Sequence, residues 1–137
     1  PAKDIDFKYR DSGLSDELIF LSASFKGYKK EKSEIRTEVQ KLIKKKELTQ
    51  PTRIKTSGST FKNPINQTDK KVWQLISESV PLEKSFGDAS ISDKHCNFFV
   101  NKGNAKFEDM KNLIDFVADS VFKKTGIRLE TEIKIIE

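Results

Sequence analysis

The chain of 137 residues is 35% hydrophobic and has neither a bilayer-length apolar run nor a signal-peptide pattern, so we expect one cytoplasmic domain with a modest core. Its net charge of +5 comes from 26 basic and 21 acidic residues, which gives a mixed surface that attracts anions without marking an obvious nucleic-acid protein. One cysteine, Cys96, excludes an intrachain disulfide, and with one histidine, His95, the soft ligands are too few for a zinc site, so no metal is predicted.

The first elements are predicted to be a strand and a helix. Residues 17–25 are rich in apolar and aromatic side chains and lie between Gly13 and Gly27, a pattern that favours a mostly buried strand. Ser33 is a plausible N-cap for a helix over about residues 34–46. Apolar residues recur there at helical spacing: Ile35, Val39, Leu42 and Ile43.

A long loop and a second helix are predicted next. From residue 49 to residue 66 the periodicity disappears, and prolines and glycine interrupt a stretch of Thr, Ser and Asn. A loop of this length in a small domain is usually functional. A helix is predicted over residues 69–79, ending before Pro81. Its apolar face consists of Val72, Trp73, Leu75 and Ile76.

The last part of the chain is predicted to contain two short strands, a long helix and a final strand. The short strands cover residues 89–92 and 96–100, and the helix covers residues 106–124 with Gly126 as its stop. Its apolar stripe consists of Phe107, Met110, Leu113, Ile114, Val117, Val121 and Phe122. Residues 129–136 alternate as a strand. This order indicates an α+β fold, with helices on one face of a small, mainly antiparallel or mixed sheet.

Three places carry polar residues that a packed domain does not need. Arg10 would suit a carboxylate held in bidentate fashion, although a surface ion pair with Asp11 or Glu17 is the more ordinary explanation. The loop over residues 56–64 concentrates backbone amides, hydroxyls, a lysine and an amide side chain, which suits an anionic ligand but also fits ordinary turn chemistry. Glu132 lies on the polar face of the last predicted strand, where an exposed carboxylate is unremarkable.

Together these places resemble one family. Gly58-Ser59-Thr60-Phe61-Lys62-Asn63-Pro64 is similar to the G-S-x-F-K-N-P loop of UDP-N-acetylenolpyruvoylglucosamine reductases, and Tyr9-Arg10-Asp11-Ser12 resembles their Y-R-x-S segment. The resemblance continues in order through residues 72–76, 87–98, 101–105 and 125–133. It covers residues 6–136 and is closest to the shorter class, which lacks an extra substrate-covering insertion.

The resemblance implies a catalytic set and a substrate-binding set of residues. The family's general acid falls on Ser59, and its two enol-stabilising residues fall on Arg10 and Glu132. The substrate contacts that the resemblance implies are Asn63, Lys62 and His95, with Lys84 as the nearest substitute for a basic turn that residues 80–83 lack. The implied enzyme is an FAD-dependent, NADPH-using oxidoreductase that makes UDP-N-acetylmuramate for peptidoglycan, and so for cell wall biogenesis, cell shape and cell division.

The resemblance also predicts how the chain is divided. Residues 1–31 would be the trailing edge of the FAD-binding domain, and residues 32–137 the C-terminal substrate-binding domain. The chain has no glycine-rich pyrophosphate loop, so no cofactor-binding residue is assigned to it, and FAD would be held mainly by a missing N-terminal portion. The isolated chain is therefore expected to be inactive. A UDP-sugar is the expected substrate, and a monomer with no nucleic-acid or membrane partner is expected.

A different class of function remains open at this stage. Lysine runs at residues 26–32 and 44–46, with Phe25 and Tyr28 nearby, would suit a small basic nucleic-acid- or anion-binding module, although no recognised RNA-binding motif is present. The run at residues 44–46 would also complement the negative end of a helix dipole. A third reading is a degenerate fragment that folds without activity.

Overall fold

The fold was determined as a computed structural model, which describes residues 2–15 and 17–136. After a 3₁₀ turn at Ala2–Asp4, the elements follow in chain order: α1 (Lys32–Thr49), β1 (Lys55–Ser59), α2 (Val72–Ser79), β2 (Ser85–Phe86), β3 (Ala89–Ile91), β4 (Phe98–Asn101) and α3 (Phe107–Thr125). None of the helices in the described residues is both long and apolar enough to span a bilayer.

The four strands form one antiparallel sheet in the order β1-β4-β3-β2. Helix α3 packs on β2 and β3 and against α2, and residues of both helices and of the sheet share one core. The predicted α+β class is confirmed, and the sheet is antiparallel. The two-residue strand β2 was not predicted, because it is too short to show an alternating pattern.

The core forms where the helix stripes meet the sheet. Its buried members are Phe61, Val72, Leu75, Ile76, Val80, Ala89, Ile91, Phe99, Leu113, Ile114, Val117 and Val121. The predicted stop of α3 is confirmed, since Gly126 has a left-handed φ of 74° and its N–H donates to Phe122 O at 2.8 Å. Two predicted members of the α3 stripe, Phe107 and Phe122, are partly exposed, whereas Val121 beside Phe122 is fully buried.

Removing one core leucine should test how much stability this core provides. Leu113 is 0% exposed, so Leu113→Ala should lower the free energy of unfolding by about 2–5 kcal/mol through lost burial and a residual cavity. The same truncation at Leu42, which is 65% exposed on α1, should change it by less than about 1 kcal/mol. Urea unfolding of both variants of the 137-residue chain by itself measures the difference. Equal losses would show that α1 is also part of the core.

The predicted buried strand over residues 17–25 is wrong. The described residues of this segment have no regular strand, and Leu21 and Phe25 are 91% and 92% exposed. Its composition suits a strand, but no other described strand pairs with it, so its backbone lacks the ladder that defines one. The predicted helix is present as α1, but it begins at Lys32, so Glu31 and not the predicted Ser33 is its N-cap, and none of its residues is buried.

Three further differences concern exposed or weakly patterned residues. Strand β1 lies inside the predicted loop, because its Lys-Thr-Ser-Gly-Ser sequence has no apolar alternation and is mostly exposed. The predicted final strand is reduced to an isolated bridge between Phe61 and Thr131. Trp73, predicted on the apolar face of α2, is instead about half exposed while its neighbours Val72 and Leu75 are buried.

Candidate functional site

A cleft of about 210 Å³ lies between the N-terminal turn, the end of β1, the start of α2 and the last segment of the chain. Its lining residues are Tyr9, Arg10, Ser59, Phe61, Asn63, Lys71, Val72, Trp73, His95, Asn97 and Glu132. Five of the seven residues singled out in the sequence line it: Arg10, Ser59, Asn63, His95 and Glu132. Residues that are far apart in the chain therefore meet at one place.

A bulge at the end of β1 places Ser59 in the cleft. The pairing of β1 with β4 shifts between Thr56 and Ser59, so β1 carries one extra residue there. Gly58 lies within this shift at a φ of 93°, a conformation that side chains with a Cβ rarely adopt. Bulges of this kind redirect side chains beside active sites. The Ser59 hydroxyl has no hydrogen-bond partner among the described residues, so it is available to a ligand.

Arg10 occupies a strained position in a tight turn. Lys8 and Asp11 exchange backbone hydrogen bonds at 2.9 and 3.3 Å, which makes Tyr9 and Arg10 the two central residues. Arg10 has a φ of 58°, where glycine or asparagine is usual, at a cost on the order of 1 kcal/mol. This turn places Arg10 at the cleft. Backbone strain of this kind is typical of functional positions.

Glu132 forms an ion pair with the Arg10 guanidinium. Arg10 Nε and Glu132 Oε1 are 2.9 Å apart, and the Glu132 N–H donates to Thr60 O at 2.8 Å. This backbone bond fixes Glu132 beside the residue that follows Ser59. The cleft therefore holds a proton donor, a fixed cation and a carboxylate next to one another.

The amide of Asn63 joins the N-terminal turn to α2. Its Nδ2 donates to Tyr9 Oη at 3.1 Å, and its Oδ1 accepts the Val72 N–H at 3.0 Å, in the first turn of α2. The Asn63 backbone N–H also donates to Tyr9 Oη at 3.1 Å. Lys71 and the first turn of α2 line the cleft, and a helix N-terminus carries partial positive charge that favours an anion.

His95 presents a neutral imidazole to the cleft. Burial lowers the pKa of His95 below its usual value. Its Nδ1 accepts the Asn97 N–H at 3.2 Å, so the neutral ring carries its proton on Nε2. That nitrogen is the group that a ligand would meet.

Lys62 and Lys84 do not line the cleft. Lys62 Nζ pairs with Glu130, and Lys84 Nζ lies 4.8 Å from the centre of the Phe86 ring. Their roles in substrate binding stay predictions. The sequence reasoning gave no site role to Lys71, Trp73 and Asn97, which also line the cleft, because a side chain's position at a cleft depends on contacts between distant segments.

A larger cavity of about 500 Å³ adjoins the cleft, and the two share Trp73 and His95. Its other lining residues are Leu82, Glu83, Ser92, Asp93, Lys94 and Cys96. The Cys96 thiol donates to Trp73 O at 3.1 Å, and burial raises the pKa of this thiol, which keeps it protonated. Among the described residues, no group of three or more His, Cys, Asp or Glu side chains is placed to hold a metal ion.

Comparisons with known proteins agree with the motif pattern. The family described as UDP-N-acetylenolpyruvoylglucosamine reductase, C-terminal domain, matches residues 50–136. Proteins named UDP-N-acetylenolpyruvoylglucosamine reductase are 69% identical over all of this chain in Pelagibacter ubique and 41% identical over 98% of it in Rickettsia typhi. This chain spans 45% and 44% of their lengths. The crystal structure of UDP-N-acetylenolpyruvylglucosamine reductase from Thermus caldophilus is similar with a TM-score of 0.74 at 31% identity, over 96% of this chain and 46% of that one.

Proposed function

This chain belongs to the UDP-N-acetylenolpyruvoylglucosamine reductase family, whose C-terminal domain it matches, and we propose that it forms the substrate-binding part of a reductase that converts UDP-N-acetylglucosamine enolpyruvate to UDP-N-acetylmuramate. The observation that carries the proposal is the cleft in which the unpaired Ser59 hydroxyl lies with the Arg10–Glu132 ion pair. The family's place in peptidoglycan synthesis gives this activity its role in the cell wall.

The charges of the cleft suit this substrate. A carboxylate and a diphosphate need cationic partners, and the cleft offers Arg10, Lys71 and the first turn of α2. His95 and Asn63 provide neutral donors for hydroxyl or amide groups. We infer that the substrate carboxylate lies at Arg10, with the sugar diphosphate extending past α2 and the adjoining cavity providing room for the remainder.

The residues of the cleft would divide the chemistry in the following way. Ser59 gives its hydroxyl proton to the carbon next to the carboxylate, where the reaction intermediate resembles an enolate. The Arg10 guanidinium holds the carboxylate over which the charge spreads. Glu132 holds the Arg10 guanidinium in place through the 2.9 Å contact between Arg10 Nε and Glu132 Oε1, so that the cation stays oriented toward the charge that develops in the intermediate.

A complete reaction needs FAD, which when reduced by NADPH supplies the hydride for the terminal carbon of the enolpyruvyl group. The described helices begin after Glu31, Lys71 and Lys106, and none of these starts is a glycine-rich turn that would hold a pyrophosphate. The residues described here therefore do not fit the cofactor by themselves. We propose that an upstream portion binds FAD, and that residues 1–31 belong to the edge of that domain while residues 32–137 form the substrate-binding domain.

The exposed apolar side chains support the presence of an upstream portion that packs on this chain. The apolar side chains of the described residues in 17–31 and those of α1 are exposed, and none of the α1 residues is buried by the rest of the described chain. Exposed apolar surface of this extent is typical of an interface. We infer that the FAD-binding portion covers it in a cytoplasmic monomer that has no membrane or nucleic-acid partner.

The assay that tests the proposed function uses the full-length protein. NADPH oxidation should require UDP-N-acetylglucosamine enolpyruvate, and the product should carry the mass of UDP-N-acetylmuramate. NADPH oxidation that proceeds equally without this substrate, with no reduced sugar nucleotide formed, would contradict the proposal.

The 137-residue chain alone should be colourless and inactive. It lacks a pyrophosphate cradle in its described residues, so FAD added in excess should be lost on gel filtration, whereas the full-length protein should keep it. The FAD that each protein retains after gel filtration is measured from its visible absorption spectrum. A stoichiometric flavin spectrum in the isolated chain would show that the cofactor site lies here after all.

A further inference from the structure

We propose that Asn97 is a positioning residue. It fixes the positions of Ser59 and Glu132 relative to each other and does not touch the substrate's reacting atoms. The inference rests on the proposed function, because it assigns to Asn97 an effect on the same proton transfer. It follows from a set of hydrogen bonds that joins three segments of the chain at the cleft.

Asn97 holds the segment after Ser59 from one side. Its Oδ1 accepts the Phe61 N–H at 3.0 Å, and its Nδ2 donates to Phe61 O at 2.9 Å. Its backbone carbonyl accepts the Thr60 N–H at 2.8 Å. The side-chain amide thus pairs with both polar groups of one residue, as a neighbouring strand would.

The final segment of the chain holds the same residues from the other side. Glu132 donates its N–H to Thr60 O at 2.8 Å, and Lys62 donates its N–H to Glu130 O at 2.9 Å. Residues 60–62 are therefore clamped between Asn97 and residues 130–132, with Ser59 directly before the clamp. The positions of the proton donor and the carboxylate relative to each other depend on this arrangement.

Because Asn97 is buried, the loss of one of its hydrogen bonds to Phe61 should be costly. Asn97 is 3% exposed, so a buried carbonyl or N–H of Phe61 that lost its partner could not turn to water. The segment would then shift to find other partners, and Ser59 would move with it. Displacements of about 1 Å in a catalytic group can reduce a rate by about 100-fold.

Asn97→Asp in the full-length enzyme tests the clamp most directly. The carboxylate still accepts the Phe61 N–H but places a charge against Phe61 O, where Asn97 donates. The kcat for reduction of the enolpyruvyl substrate should fall by about 10- to 100-fold with KM little changed, since the binding groups of the cleft remain.

Asn101→Asp provides a matched control at the other end of β4. Asn101 Oδ1 also accepts backbone N–H groups, from Gly103 and Ala105, and its Nδ2 also donates to a carbonyl, Ala105 O. Both variants should lower the melting temperature, but only Asn97→Asp should lower kcat. Equal kcat values for folded Asn97→Asp and wild type would overturn the proposal, as would an equal loss in Asn101→Asp.

A double-mutant cycle shows whether Asn97 acts through Ser59. In a Ser59→Ala background Asn97→Asp should slow the reaction much less than it does alone, because the group it positions has been removed. An unchanged factor would make Asn97 a structural residue only. If Asn97→Asp does not fold, Asn97→Ser takes its place because it keeps a small polar group. If neither variant folds, Asn97 is a residue required for stability, and the proposal is overturned. A wild-type protein that does not reduce the enolpyruvyl substrate would instead refute the proposed function itself.

Discussion

Ser59→Ala in the full-length protein is expected to slow reoxidation of the reduced flavin by the enolpyruvyl substrate by about 10²–10⁴-fold, the range typical of losing a general acid. Reduction of the flavin by NADPH should stay close to wild type, because that half-reaction does not use the proton donor of the substrate. The Ser59 side chain has no hydrogen-bond partner among the described residues, so its loss should disturb the fold little. Stopped-flow absorbance separates the two half-reactions.

Ser57 supplies the matched control for this experiment. It lies on the same strand as Ser59 and is exposed, and it lines a different cavity, beside Phe107 and Ile135. Ser57→Ala should leave both half-reactions near wild type. If Ser59→Ala slowed both half-reactions equally, or if Ser57→Ala matched its effect, Ser59 would be a structural residue of the loop.

The sequence predicted well those elements that have one apolar face, which is buried in the core. Helix α3 is the clearest, because Leu113, Val117 and Val121 recur at helical spacing and Gly126 ends the helix. The segment over residues 17–25 shows the limit of this reasoning. An apolar run says that a segment should be buried, but not that its partner lies in the same chain, and here no described strand covers it.

The candidate site was predictable from motifs but not from patterns. Ser59, Arg10 and Glu132 each have an ordinary explanation when considered alone, and only the resemblance of the whole set to one family indicated a common role. The folded chain brings them to one cleft, through contacts between segments at opposite ends of the sequence. The pairing of Asn97 with Phe61 could not be predicted from residue spacing, because the hydrogen bonds of the Asn97 side-chain amide join residues 36 positions apart. The roles of these residues in catalysis stay predictions.

Glu132 should have the second large effect, and its two substitutions separate charge from shape. Glu132→Ala removes the carboxylate that pairs with Arg10 Nε at 2.9 Å, and it should slow the substrate half-reaction by about 10²–10³-fold. Glu132→Gln should be milder, because the amide oxygen can still accept from Arg10 Nε and the side chain keeps its shape. The losses should appear in the rate of flavin reoxidation rather than in substrate affinity, as single-turnover measurements over a range of substrate concentrations would show. Glu78→Gln is the control, because Glu78 pairs with Lys70 at 2.8 Å outside the cleft and its substitution should be nearly silent. A loss confined to affinity, with the rate at saturating substrate unchanged, would make Glu132 a binding residue and exclude its proposed part in stabilising the intermediate.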